Sequence, residues 1–461
     1  MRIKVENLGP LRQAEFELGD MTIICGGNNT GKTYATYALF GFLSFWREAF
    51  SITIPDKYVT QLLADGTTSI NIHEFVEISA SIVKQGCEAY TKQLPVVFAS
   101  SEKLLAETRF EVNITSEDIK TDEPFDRQIG AAKADLFSIT KARDYSEVVI
   151  TLLVEKHKLR IPQENIKKII GEAIKDILFG HLFPNPFIAS VERTGAAIFR
   201  KELSFSRNRL LEQMSSDINI NPLYLLLKAY ADYALPVKAN VEFMSQLEDM
   251  ARQESFISKN HKQILDDFSA IIGGEYMVTK NGELYYVPTG KRIRLTMNES
   301  SSAVRSLLDI GFYLRHVAKP GDMLIVDEPE LNLHPENQCR IARLFTRLIK
   351  LDIKVFMTTH SDYIIKELNT LIMLNHDKPH LKRIKEQEGY TADEMLSVSD
   401  VKMYIAEEAY VKLNGTQRKT KCLTLVPADI DETLGIDARS FDTTIDRMNR
   451  IQESILFDGE E

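Results

Sequence analysis

Met21-Thr22-Ile23-Ile24-Cys25, followed by Gly26-Gly27-Asn28-Asn29-Thr30-Gly31-Lys32-Thr33, is the stretch on which the reading of this chain turns. The first five residues form a short apolar run, a strand candidate. From Lys32 to about Phe50, the residues Tyr34, Tyr37, Ala38, Phe42 and Phe45 recur on one helical face. Between strand and helix stands the pattern G-x4-G-K-T. Glycines let backbone N–H groups turn inward and, with the helix amino terminus, form a cradle for an anion. A lysine after the second glycine reaches the β- and γ-phosphates, and the adjoining hydroxyl ligates Mg²⁺. At average residue usage the bare pattern arises by chance in roughly one or two per hundred chains of this length. Strand, loop and helix together predict an ATP site built from Gly26, Asn28, Asn29, Thr30, Gly31, Lys32 and Thr33, with Thr33 on the metal.

A second half of such a site is legible downstream. Met323–Val326 is a buried-strand run ending in Asp327 and Glu328. A phosphate loop needs a carboxylate there: Asp327 to hold the Mg²⁺ shell, Glu328 to polarise the attacking water. The bland alternative is a strand running into an acidic loop. The next strand, Ile353–Met357, ends in Thr358-Thr359-His360-Ser361. The interval is long enough for a loop, a crossover helix and a parallel strand, so Asp327, Glu328 and His360 emerge at one carboxyl edge of the sheet. His360 either touches the γ-phosphate or caps the helix that follows. Upstream, Asn298-Glu299-Ser300-Ser301-Ser302 starts a helix with Val304, Leu307, Leu308 and Phe312 on its apolar face. Those serines read first as helix caps, although their hydroxyls also suit a phosphate.

The rest of the chain sorts around these motifs. Residues 51–184 read as an insertion, with an apolar segment at Phe75–Val83, strand candidates at Phe110–Ile114 and Val148–Val154, and an amphipathic helix around Ile166–Leu182. Residues 197–272 are helical by periodicity, and a hairpin is expected around Asn281-Gly282. Lys and Arg total 56 against 66 Asp and Glu, a net charge of -10, which excludes a wholly basic nucleic-acid coat protein but not a local basic face. The strip 412–421 holds Lys412, Arg418, Lys419 and Lys421, whereas 423–461 carries three arginines against ten acids. Four scattered cysteines without zinc-like spacing fit a reducing cytosol, so a cytoplasmic location is expected. No apolar run approaches a spanning helix, and the amino terminus does not read as a signal peptide.

Taken together, these residues resemble the ABC-type ATPase heads of the SMC, RecF and OLD-like group. GGNNTGKT is similar to their Walker A motif, LIVDEPELNLHP to Walker B with the D-loop, TTHSDYII to the histidine switch, and ESSSAVRSL to a degenerate signature motif. The resemblance implies an α/β P-loop head with a mixed or parallel sheet, split over 1–50 and 185–375, with 51–184 as a mostly helical insertion. Residues 376–461 are left as a partner- or oligomer-contact region. It also implies that two heads face each other, so that Ser301 and Ser302 of one subunit close over the γ-phosphate held by Lys32 of the other. Ala303 stands where the signature usually has glycine, and no Q-loop glutamine is assigned. Arg193 reads either as a nucleotide-proximal arginine of this group or as a surface arginine.

OLD-type relatives continue into a TOPRIM nuclease. Here only about ninety residues follow the histidine switch, and Asp429-Ile430-Asp431 reads as a solvated acidic face. The DEPE-x-x-LHP string is characteristic of compact members from anti-phage operons, most like Septu ATPase subunits, which work with an HNH nuclease. PARIS ATPases, which work with a TOPRIM effector, are similar too. The resemblance therefore implies ATP and Mg²⁺, even-numbered assemblies, and a nuclease supplied in trans. The alternative is a RecF-like repair ATPase that binds DNA in a nucleotide-dependent way. An ABC transporter subunit fits the insertion and the LHP string less well.

Overall fold

The computed structural model describes residues 1–131, 134–154, 161–199, 233–279, 282–414, 418–437 and 447–455. Most of the helical reading of 197–234 and the turn residue Asn281 lie outside the described residues. The chain divides into two compact units, one of residues 1–4, 42–93 and 109–185, the other of 5–41, 94–108 and 186–461.

The second unit holds the motifs. Its core is a six-stranded sheet assembled from β1 (Met21–Gly26), β2 (Asn185–Ala189), β3 (Asp322–Asp327), β4 (Lys354–Thr359), β5 (Val401–Lys412) and β6 (Lys419–Pro427). The order is β6-β5-β1-β4-β3-β2. β1, β3, β4 and β5 run parallel, and β6 returns antiparallel to β5. Every residue of β1 and β3 is buried, which is why both read as continuous apolar runs instead of alternating. Register aligns the functional ends: Thr359 lies beside Cys25, and Asp327 beside Thr358.

Four helices place the motifs against this sheet: α1 (Lys32–Ala49), α2 (Ser302–Ser306), α4 (Pro335–Ile349) and α5 (Asp362–Met373), with α3 (Leu308–Phe312) following α2. On α4 the predicted inner residues Ile341, Leu344, Phe345 and Leu348 are all buried. The single helix expected after Asn298 is broken. α2 ends at Ser306, α3 follows, and Tyr313–Val317 widens into a π turn closed by Ala318 N–H to the Tyr313 carbonyl at 2.9 Å.

Strands β5 and β6 come from the segment set aside in sequence for partner contact. The first half of β5 is buried beside β1, and the Tyr404 hydroxyl accepts the Glu17 N–H at 2.7 Å. Beyond Ala406, β5 pairs with β6 alone and turns outward, with Tyr410 68% exposed. That mixed burial gives the strand no clean period. The predicted hairpin is present, Gly274–Val278 antiparallel to Leu284–Pro288.

The first unit carries a four-stranded antiparallel sheet in the order Thr67–Asn71, Glu147–Leu152, Ala134–Lys141, Phe125–Ala131. Helices include Asp56–Asp65, Ser79–Thr91 and Gln163–Phe179. Phe42, Phe50, Phe110 and Phe183 meet edge-on or tilted in its core, with ring centroids 5.1–6.1 Å apart where they contact.

Candidate functional site

The loop after β1 has the backbone that its glycines promise. Gly26 and Gly31 sit at φ +141° and +94°. A Cβ on Gly26 would stand 2.6 Å from the Ala406 carbonyl oxygen, and one on Gly31 would stand 2.6 Å from Leu11. Asn29 takes φ +61°, a left-handed value that asparagine tolerates. The Thr30 hydroxyl donates to the Gly27 carbonyl at 2.8 Å. Gly27, Asn28 and Asn29 are exposed at the loop's crest. Lys32 is folded back beneath it, its ammonium donating to the carbonyls of Gly26 (3.1 Å) and Gly27 (2.8 Å). Burial lowers its pKa, opposed by Glu328 and Asp327.

Asp327 ends β3 with 1% exposure. One carboxylate oxygen accepts the Thr358 hydroxyl; the other, Oδ2, is buried without a hydrogen bond. Burial pushes this carboxyl up to about 6, and the hydroxyls of Thr358 and Thr33 offset part of that rise. A buried carboxylate oxygen left without a hydrogen bond, on a side chain that also interacts with the Thr33 hydroxyl, suits a hard divalent cation, so the residues present fit Mg²⁺.

Glu328 stands at φ +54°, a costly conformation for a glutamate. Its N–H donates to Thr358 Oγ1 and to the Thr358 carbonyl, both at 3.2 Å. Its carboxylate meets His360 Nε2 at 2.7 Å, and this bond holds the Glu328 pKa below the usual carboxylate range. His360 Nδ1 lies 2.9 Å from the Gly26 carbonyl and 3.5 Å from the Lys32 ammonium. A carbonyl only accepts, so Nδ1 carries a proton there, and Glu328 raises the His360 pKa. The helix-cap alternative for His360 is displaced: Ser361 caps α5, its hydroxyl accepting the Ile364 N–H at 3.2 Å.

Two further residues hold this cluster. Glu330, to which the motif reading gave no role, accepts the His360 N–H at 2.6 Å. Arg193 is neither at the loop nor on the surface. It is fully buried and donates to four carbonyls: Ser306 (Nε, 2.7 Å), Ser190 (Nη1, 2.9 Å), Asp327 (Nη1, 2.7 Å) and Glu328 (Nη2, 2.7 Å). It thereby fastens the end of β2, the end of β3 with the acid that follows it, and the last residue of α2 to one another. No periodicity announces such a side-chain-to-backbone clamp; only the position of an arginine just past a strand end hinted at it.

Ser301 caps α2, its hydroxyl accepting the Val304 N–H at 3.3 Å, and Ser301 and Ser302 are both exposed. The cap reading thus holds within one chain. Asp431 accepts the N–H groups of Thr433 and Leu434 in a tight turn. Among the described residues, no group of three or more His, Cys, Asp or Glu side chains is placed to hold a metal.

The sequence matches the AAA ATPase domain profile AAA_15 over residues 1–365. The chain belongs to this family of AAA ATPase domains. No curated protein matches it. Among solved structures the chain is similar to an SMC head bound to the C-winged helix domain of ScpA, at 11% identity over 92% of this chain and 97% of that one, TM-score 0.31. It is similar to the SMC head domain from Thermotoga maritima, at 11% identity over 93% and 98%, TM-score 0.28. A third is the Smc head domain with an extended coiled coil bound to the C-terminal domain of ScpA derived from Pyrococcus furiosus, at 13% identity over 98% of each chain, TM-score 0.30.

One buried acid of this AAA ATPase domain yields a pH prediction. Asp309, 0% exposed, is pushed up to about 6 by burial, against the pull of Arg193. Its folded pKa lies above its unfolded value, so its contribution to stability is complete below about pH 4 and lost as pH rises through about 6. Asp309→Asn mimics the neutral form. It is expected to be more stable than the parent by about 2–3 kcal/mol above pH 7, a gap shrinking below about 1 kcal/mol near pH 4. Thermal melts across that range check it; a gap independent of pH would remove the assignment.

Proposed function

We propose that this protein is the ATP-hydrolysing subunit of a bacterial anti-phage complex, pairing head to head and controlling a nuclease supplied by another chain. The observation that carries the hydrolytic reading is the convergence of Lys32, Asp327, Glu328 and His360 at one sheet edge, with Lys32, Glu328 and His360 bonded to one another or to the loop they would serve and Asp327 bonded to Thr358 beside them.

In this reading the N–H groups of the loop from Gly26 to Thr33 and the Lys32 ammonium receive the phosphates, the ammonium exchanging loop carbonyls for phosphate oxygens. Thr33 and Asp327 would hold Mg²⁺, which neutralises charge on the phosphates when bound. Glu328 orients the attacking water and takes its proton, while His360 steers the Glu328 carboxylate. Exposed Ser301 and Ser302 are free to close over a nucleotide held by a second copy. The DEPE-x-x-LHP string supports the anti-phage assignment, and an HNH-type partner is favoured over a TOPRIM one. The segment 376–461, which also supplies β5 and β6, is the proposed docking region.

Two measurements test the reading. With ATP and Mg²⁺ the wild-type chain is expected to shift to an even-numbered assembly by light scattering, and Lys32→Ala to stay unshifted with ATP affinity weakened about tenfold or more. The product of the neighbouring gene is expected to co-purify with it. A chain that remains monomeric with ATP and purifies alone would sink the assembly reading. ATP-dependent, salt-sensitive duplex binding would favour a repair clamp instead.

A further inference from the structure

A second polar cavity lies away from the phosphate loop, in the same unit. Its volume is about 630 Å³, within the roughly 300–1,000 Å³ range of small-molecule sites. Its walls come from the turn at Ala251–Glu254, from Ser258 to Asp266, and from Arg315 and His316 of the π turn. These walls are joined by hydrogen bonds. The Ser255 hydroxyl donates to the Leu314 carbonyl at 2.6 Å, its N–H to the Arg315 carbonyl at 3.1 Å, and the Phe256 N–H to the Ala318 carbonyl at 3.2 Å. The basin is therefore built, the serine taking up carbonyls beside the widened turn.

Its charge is out of keeping with the chain. Arg252, Lys259, Lys262 and Arg315 line it against Glu254 and Asp266, in a protein of net charge -10. Elsewhere in this unit a clustered cation such as Arg347 meets its acids directly, Asp267 and Asp393. The side chains of Arg252, Lys259 and Lys262 have no hydrogen-bond or ion-pair partner among the described residues, and Arg315 has only Glu275 at 3.5 Å. Three unpartnered cations around one concavity, with a guanidinium suited to bidentate oxyanion contact, match a ligand carrying phosphate groups. An apolar ligand does not fit walls of this character.

We infer that this basin is a second anion site, distinct from the loop at Lys32, which binds a phosphate-bearing ligand. The phosphates belong either to a free phosphorylated molecule or to a nucleic-acid strand crossing the basin. The inference does not depend on the anti-phage reading.

The test titrates the full chain carrying Lys32→Ala, which silences the first site, with inorganic pyrophosphate and with a short single-stranded oligonucleotide. At least one probe is expected to bind, and adding Lys259→Glu/Lys262→Glu is expected to weaken it about tenfold or more. Pyrophosphate binding identifies a free phosphorylated ligand; binding of the oligonucleotide alone identifies a strand. The control pair Lys84→Glu/Lys92→Glu makes the same charge change on exposed residues of the other unit and is expected to leave binding intact. The charge-reversal comparison repeated with Lys32 intact gives the same difference should Lys32→Ala misfold. Failure of both probes to bind at millimolar concentration, or equal loss with both lysine pairs, overturns the site.

Discussion

Glu328→Gln is expected to lower the ATP turnover number by about 10²–10⁴-fold while leaving ATP affinity within a few-fold of the parent. The glutamine keeps the shape of the side chain, so the φ of +54° costs no more than before. It still accepts from His360, and nothing near Lys32 changes except charge. What goes is the carboxylate that would take the proton from the attacking water. A second signature accompanies the first. The Glu328 bond is the largest cause raising the His360 pKa, so His360 in the variant should titrate at lower pH than in the parent. Single-turnover kinetics and histidine titration by NMR read the two effects separately. A variant that hydrolyses ATP within about tenfold of the parent would remove Glu328 as the general base and leave Glu330 or a bound water in its place.

How much of this was legible beforehand follows from what each feature demands of the sequence. The loop was legible because its backbone excludes other residues: a side chain at Gly26 meets the Ala406 carbonyl, and one at Gly31 meets Leu11. Strands β1, β3 and β4 were legible because a central parallel strand is buried on both faces and reads as an unbroken apolar run. Glu328 and His360 followed from their shared edge. The half-exposed strand β5 was not placed, since its outer half pairs with β6 alone and keeps polar residues on both faces. The break between α2 and the π turn was also hidden. The apolar face Val304, Leu307, Leu308 and Phe312 satisfies a helical period whether or not the backbone holds a regular helix through Leu307.

Arg193 is the sharpest case, because its partners are main-chain oxygens that any sequence supplies. Arg193→Lys is expected to cost about 2–5 kcal/mol of stability, since an ammonium has three donors at one point and cannot reach four carbonyls on three segments. Most of the carbonyls left bare are buried, in the region where burial also pushes the Asp309 carboxyl up to about 6. The larger consequence is catalytic. The Glu328 backbone is held in its left-handed conformation by Arg193 on its carbonyl and by Thr358 on its N–H. With the first hold gone, the strained peptide can relax and carry the carboxylate away from His360. The turnover number should then fall about 10–100-fold, with ATP affinity within about threefold, because no bond from Arg193 reaches residues 26–33. Leu344→Ala in α4 serves as the comparison. It removes a buried side chain of the same unit at a similar cost of about 2–5 kcal/mol, yet should leave the turnover number nearly unchanged well below its melting temperature. If both variants lose stability alike and turn over ATP at the parental rate, Arg193 holds the core together without positioning Glu328. If Arg193→Lys alone slows turnover, the clamp that also holds the last residue of α2 positions the Glu328 carboxylate as the base.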